Sequence, residues 1–277
     1  GEDGHMRFSV LMSIYYKEKP DNFAQCMDSL LTQTSLPDEI VLVEDGRLTD
    51  ELYKVIDEYT GRMGNINFVR LRLDENRGLG IALSYGIKHC RNRLVARMDT
   101  DDIAVKDRFA MQLKAFSKNP SLDIVGGYID EFIDEPDKPY SVRMVPISQK
   151  DIYKYQRRRD AFNHMTVMYK KNTVIEAGNY KDCLLMEDSL LWAEMIKNHA
   201  HMANIPKVLV HARCGDDMID RRGGMDYFFK YRNGRKRILK TGTISYADYC
   251  VTVAAQFVVC VMPTALRRFI FKKILRK

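Results

Sequence analysis

Leu94-Val95-Ala96-Arg97-Met98-Asp99-Thr100-Asp101-Asp102 is the stretch whose reading decides the fold of this chain. An apolar run that ends in clustered carboxylates describes a buried parallel strand. Its acidic oxygens emerge at the carboxyl edge of a sheet, where open α/β folds bind ligands. Asp99 and Asp101, one residue apart, suit a hard divalent cation that keeps some waters and draws its other oxygens from a phosphate. The competing reading is an Asp-rich turn leading into a helix that starts near Val105.

Working outward, short β-branched runs alternate with amphipathic helical stretches. Strands are expected over 8–14, 40–43, 66–71, 94–98 and 124–133. Helices are expected over 21–33, from Thr49-Asp50-Glu51 to about Arg62, over 78–90 and over 105–119. In the first helix Phe23, Cys26, Met27, Leu30 and Leu31 fall on one face. This βαβα alternation implies a mostly parallel sheet covered by helices on both faces. Prolines at 136, 139 and 146 break the pattern between 134 and 148, and helical periodicity returns over 184–200.

The 277 residues are ample for one large α/β domain with an appendage. The six cysteines form no CxxC pair or zinc spacing, and no secretory signal precedes them, so they read as buried thiols in a reducing compartment. Residues 1–5 resemble a cloning remnant ahead of Met6. The net charge of +7 is unevenly spread: 14 of the 44 Lys and Arg, but only 3 of the 37 Asp and Glu, lie from Ile219 onward. The basicity therefore belongs to the tail and points to an anionic surface partner. Within the tail, residues 249–262 carry no charge over 14 positions, too few to span a bilayer. After Pro263, Leu266, Phe269, Ile270 and Ile274 share a helical face, surrounded by Arg267, Arg268, Lys272, Lys273, Arg276 and Lys277. That pattern suits a helix lying in an anionic membrane interface. The alternatives are a helix packed on its own domain, or a nucleic-acid-binding tail, which no stacking-aromatic platform supports.

Five segments carry a resemblance: residues 8–16 (FSVLMSIYY), 41–46 (VLVEDG), 75–86 (ENRGLGIALSYG), 98–102 (MDTDD) and 186–192 (MEDSLLW). In this order they resemble family 2 glycosyltransferases of the GT-A fold. Residues 213–224 and the basic tail look like the subset that builds bacterial exopolysaccharide and O-antigen, such as the amylovoran-type transferases. The resemblance implies an α/β GT-A fold with a helical basic C-terminal tail. A nucleotide-sugar-binding half would span 6–133, an acceptor and catalytic-base half 134–218, and a membrane-associating tail 219–277.

It also implies roles. Asp101 would hold Mg²⁺ or Mn²⁺, with Asp99 beside the ribose and the metal waters. A base-reading acid is expected in the Glu44-Asp45 loop, with Asp45 favoured. Ser13, Tyr15, Asn76, Arg77, Gly78 and Thr100 would complete the donor site. Glu187 and Asp188 match the catalytic pair, with Asp188 as the general base that takes the acceptor hydroxyl's proton. A single base implies inversion at the anomeric carbon. His164, Arg221 and Arg222 are expected against the acceptor or its diphosphate, and Asp102 is either a helix cap or a contact to the donor sugar. The implied activity is hexosyl transfer from a nucleotide-sugar, UDP being usual, to a lipid-diphosphate-linked saccharide. Implied partners are that donor, that acceptor, an anionic membrane surface and a homodimer, without nucleic acid. The expected location is the inner face of a bacterial plasma membrane, peripherally bound from the cytoplasm. Two other readings stand beside it. A sugar-nucleotide nucleotidyltransferase would need a glycine-rich loop after the first strand, where residues 15–20 (YYKEKP) have no glycine. A catalytically inactive membrane-tethered binding protein would not need Asp99, Asp101 and Asp188.

Overall fold

The computed structural model describes residues 6–215 and 217–273. Residues 1–5 and the tail positions Ile274, Arg276 and Lys277 lie outside the described residues. The elements run β1 Phe8–Ile14, α1 Pro20–Leu31, β2 Glu39–Glu44, α2 Asp50–Thr60, β3 Asn67–Arg72, α3 Leu79–His89 and β4 Leu94–Arg97. They continue with β5 Ile103–Ala104, α4 Arg108–Lys118, β6 Ile124–Phe132, β7 Ser141–Arg143 and α5 Gln149–Gln156. A 3-10 turn His164–Thr166 leads to β8 Met168–Lys170, α6 Lys171–Glu176, α7 Glu187–Lys197 and β9 Met202–Arg213. The chain ends in α8 Asp217–Asp220, α9 Met225–Thr241, α10 Tyr246–Val261 and α11 Thr264–Lys273.

One sheet runs through the molecule in the order β3-β2-β1-β4-β8-β6-β9-β5, with β7 on β6. The first four neighbours are parallel, as the alternation requires. Their strands are apolar on both sides: Val10, Met12, Ile40 and Leu42 face one core, while Leu11, Val41 and Val43 face another. Helices α1, α2 and α4 cover the first face through Phe23, Leu52 and Phe109, and α3, α5 and α7 cover the second through Ala82, Ile152 and Trp192. Strands buried on both faces in this way belong to sheets sandwiched by helices.

The structure departs from the expectation in particular places. β8 joins β4 and β6 antiparallel, and β5 joins β9 antiparallel, so the second half of the sheet is mixed. Within the proline-rich segment, β7 folds back on β6. β9 escapes the pattern because Pro206 and a register shift interrupt its pairing with β6. Helix α4 begins at Arg108 rather than Val105, since Ile103–Ala104 is drawn into the sheet. Helix α7 begins only at Glu187, because Leu185 takes a left-handed φ of 69°.

The basic C-terminal region is part of the body. Cys183, Met186, Leu190 and Ala193 on the α7 side close a third core cluster with Ile238 and Ile244, which fixes α9 against α7. Asp248 pins α10 to the end of α5 through ion pairs with Arg157 at 2.9 Å and Arg158 at 2.8 Å.

Candidate active site

β1 lies between β2 and β4, so the chain leaves these neighbours in loops that meet at one crevice. After β2, the Asp45 amide donates to the Ile14 carbonyl at 2.8 Å, joining the ends of the two strands. The Asp45 carboxylate then accepts the Arg77 N–H at 2.7 Å and the Gly78 N–H at 3.0 Å. It thus caps the entrance to α3 from a distant loop, and each oxygen keeps a second lone pair. Gly46 permits the close approach: its φ is 85°, and a Cβ there would lie 2.6 Å from the Asn76 nitrogen. Asn76, Arg77 and Tyr15 are exposed and Ser13 is half-buried around this junction. Glu44 is different. It is buried, with Arg70 at 2.9 Å and Arg72 at 3.4 Å, so it neutralises the sheet's own arginines.

The aspartate turn follows β4 directly. Asp99 is about a third exposed, and one of its oxygens accepts from the Arg97 Nη2 at 2.9 Å. The Thr100 hydroxyl donates to Glu18 at 2.5 Å, which brings a carboxylate from the β1–α1 loop into the cluster. Burial, then the nearby Asp99 and Glu18 charges, push the Asp101 carboxyl up to about 7. Such crowding of acids is what a divalent cation relieves. Among the described residues no three His, Cys, Asp or Glu side chains converge to hold a metal. Asp102 is held from a distant element. It is buried and accepts the Arg213 N–H at 2.9 Å, while the Arg213 Nε donates to the Asp101 carbonyl at 3.0 Å. The expected cap or sugar contact is instead a tie between the turn and the end of β9.

The start of α7 lies against that of α3. A Cβ on Gly80 would sit 3.3 Å from the Glu187 Cβ and would collide with the Lys181 carbonyl, so the first turns of α3 and α7 touch here. Burial raises the Glu187 carboxyl, and Asp99 and Arg97 both act on it, which joins this end of α7 to the aspartate turn. Asp188 is held well above the usual carboxylate range by burial, then by Asp160 and Glu187. A carboxylate whose proton affinity is raised is a stronger proton acceptor. Asp160 follows α5 and is anchored there by the Ser189 hydroxyl at 2.7 Å and the Gln156 side chain at 2.9 Å. Tyr227 of α9 lies within electrostatic reach of Arg222, Asp160 and Asp188.

His164 and two tail arginines have partners within the protein. His164 is turned inward: its Nε2 lies 3.2 Å from the Arg97 Nε and 2.8 Å from the Tyr180 hydroxyl. Burial, then Arg97, hold it well below the usual histidine range, so it is neutral. In the tail helix, Arg267 is buried. It donates to the carbonyls of Val259 at 3.1 Å and Met262 at 3.1 Å, closing the end of α10, where a cation also meets the negative end of the helix dipole. Arg268 pairs with Asp220 at 2.7 Å. These two arginines therefore bind protein. Sequence reasoning missed Glu18, Arg97, Asp160, Tyr180 and Tyr227. Only Arg97 carried a signal, as a charge inside an apolar strand.

The family described as glycosyl transferase family 2 matches residues 9–182, from β1 to the segment that precedes Glu187. The chain belongs to this glycosyltransferase family. Its relatives include UDP-Gal:alpha-D-GlcNAc-diphosphoundecaprenol beta-1,3-galactosyltransferase of Escherichia coli, 34% identical over 275 residues, with 99% of this chain and 98% of that one covered. Amylovoran biosynthesis glycosyltransferase AmsE of Erwinia amylovora is 41% identical over 220 residues, or 79% of this chain and 81% of its own. Among solved structures, mannosyltransferase PcManGT of Pyrobaculum calidifontis in complex with GDP-Man and Mn²⁺ shares the fold. Its TM-score is 0.62 at 17% identity, over 95% of this chain and 79% of that one. This glycosyltransferase has the GT-A fold. No helix among its described residues is long and apolar enough to cross a membrane.

Proposed function

We propose that this glycosyltransferase moves a sugar, with inversion, from a nucleotide-sugar to a lipid-diphosphate-linked saccharide in bacterial polysaccharide or O-antigen assembly. The observation that carries the reading is that Asp99 and Arg97, at the aspartate turn, act electrostatically on Glu187 at the start of α7. A donor diphosphate fits against the turn, and an acceptor hydroxyl against the start of the helix. In this reading Asp45, with Asn76, Arg77 and Gly78 on its loop, receives the base, while Ser13, Tyr15 and Thr100 border the ribose and diphosphate. Asp188 accepts the proton of the acceptor hydroxyl. That oxygen bonds to the anomeric carbon from the face opposite the leaving group, and the nucleoside diphosphate departs with the electron pair. Glu187 and Asp160 hold Asp188 at high proton affinity, and Arg221 and Arg222 supply cationic contacts for a diphosphate. Mn²⁺ or Mg²⁺ on Asp101 and Asp99 would neutralise charge on the departing diphosphate. The full-length Escherichia coli relative, named for a UDP-sugar donor and a diphosphoundecaprenol-linked acceptor, supports UDP and a lipid diphosphate here.

The membrane contact in this proposal lies mainly on α10. Its buried positions include Asp248, Thr252 and Cys260, whereas Tyr246, Val251, Phe257, Val258 and Val261 face outward. Leu266 and Phe269 of α11 are exposed as well. An apolar face turned to solvent on a strongly basic C-terminal region suits the surface of an anionic bilayer.

The test is Mn²⁺ with a panel of UDP-sugars and a lipid-diphosphate GlcNAc or GalNAc analogue. Asp101→Ala is expected to abolish metal-dependent donor binding. Asp188→Asn is expected to keep binding and lose about 10²–10⁴-fold in turnover. Full activity of Asp188→Asn would refute the base assignment. Val258→Glu is expected to release the protein from anionic vesicles in sedimentation, and unchanged vesicle binding would count against the membrane face.

A further inference from the structure

Beneath the aspartate turn the strand β4 ends in a fully buried arginine. The Arg97 Nη1 donates to the Leu11 carbonyl at 2.6 Å and the Met98 carbonyl at 3.0 Å, and its Nη2 to Asp99 at 2.9 Å. Its Nε meets the His164 Nε2 at 3.2 Å. A guanidinium only donates, so the Nε2 of His164 must be the unprotonated nitrogen, and the ring proton sits on Nδ1. The Tyr180 hydroxyl also meets this nitrogen, at 2.8 Å, and in turn meets the Tyr169 hydroxyl at 3.0 Å.

The same imidazole touches the other half of the site. Its ring stands edge-on to Trp192, with centroids 5.8 Å apart and planes at 79°. Trp192 lies four residues after Asp188 on α7, hence on the same face one turn deeper. Tyr180 is also within electrostatic reach of Asp188. His164 thus connects the support of Asp99 on one side with the helical turn that carries Asp188 on the other.

We infer that His164 is a positioning residue, which orients Asp99 through Arg97 and sets the aspartate turn in register with the Asp188 end of α7, and does not bind the acceptor. The inference rests on the proposed donor and base roles for its functional consequences, but the tautomer does not. Groups that hold a site's ligands in place are commonly as consequential as the ligands themselves.

Two measurements test it. In the free wild-type protein, long-range ¹H–¹⁵N correlation reads the His164 tautomer. An unprotonated Nε2 is expected, and a proton on Nε2 would overturn the inference whatever the enzyme's substrate. The second is titration of purified variants with Mn²⁺ and whichever of UDP, GDP or dTDP the wild type binds, with steady-state kinetics alongside. His164→Ala is expected to weaken nucleotide–Mn²⁺ binding about 10-fold. It should also lower kcat about 100-fold, the scale of a ~1 Å misplacement of reacting groups. Acceptor KM should change by less than about 2-fold, since Asp188 and the arginine loop remain. His164→Gln, whose amide oxygen can accept from Arg97, should recover most of the loss. Raised acceptor KM in His164→Ala with nucleotide–Mn²⁺ affinity unchanged would overturn the positioning role. So would a folded His164→Gln variant as impaired as His164→Ala.

Discussion

Substituting Gly80 by alanine adds one methyl group at the seam between donor loop and catalytic helix. The ideal Cβ would collide with the Lys181 carbonyl and lie 3.3 Å from the Glu187 Cβ, whereas real Cβ atoms keep at least 3.0 Å from such neighbours. The obstacle is main chain that leads directly into α7, so no rotamer change relieves it. Relief requires the Lys181 main chain, in the segment leading to α7, to move away from α3 by about 1 Å, a displacement that costs on the order of 10²-fold in rate if it is passed on to the reacting groups. Overpacking should also cost about 1–3 kcal/mol of stability, offset by less than 1 kcal/mol from alanine's better helix propensity. The expected result is a folded Gly80→Ala enzyme with a modestly lowered Tm. Its nucleotide affinity should lie near the wild-type value, because Asp45 still holds Arg77 and Gly78, while kcat falls about 100-fold. The check is transfer kinetics with nucleotide titration and thermal melts on the same preparation. A variant with wild-type kcat would refute the claim that this contact sets the position of Glu187 and Asp188. One that lost nucleotide binding but kept its turnover at saturation would place the strain in the donor loop instead.

Two further outcomes follow from the charges. Asp160→Asn keeps an oxygen for Ser189 and Gln156 but removes a negative neighbour of Asp188. The proton affinity of Asp188 should fall, and the acidic limb of the kcat/KM profile should shift to lower pH; an unmoved limb would exclude Asp160 from tuning the base. At Asp248, burial raises the carboxyl, but hydrogen bonds from Ser245 and the pairs with Arg158 and Arg157 outweigh it, leaving it well below the usual range. Its contribution is therefore present above the ordinary aspartate value near 4 and lost as pH falls below it. Asp248→Asn should lower stability by about 1–2 kcal/mol at neutral pH, a modest figure because both arginines are about half exposed. Denaturant melts should show that gap narrowing below about pH 4, and a gap independent of pH would refute the ion-pair account.

Much of this protein was legible before folding, because the information was local. Leu94–Arg97 and the aspartates after it announce a buried strand with an acidic end. The two-sided apolar runs at 8–14 and 40–43 announce a parallel sheet, and each helix there carries its own periodicity. Asp99, Asp101, Asp45 and Asp188 could be singled out as candidates for the same reason: each stands at the boundary of an element that its neighbours define. What only the tertiary structure decided depends on groups distant in sequence. Asp102 faces Arg213, 111 positions away, and becomes a structural tie. His164 meets Arg97 from 67 positions away. Arg267 enters the protein because the last turn of α10 offers it unpaired carbonyls, which no charge pattern reveals. Periodicity states which face of an element is apolar. Whether a polar side chain on another face meets solvent, a substrate or a buried partner is settled by desolvation and by the contacts that folding supplies.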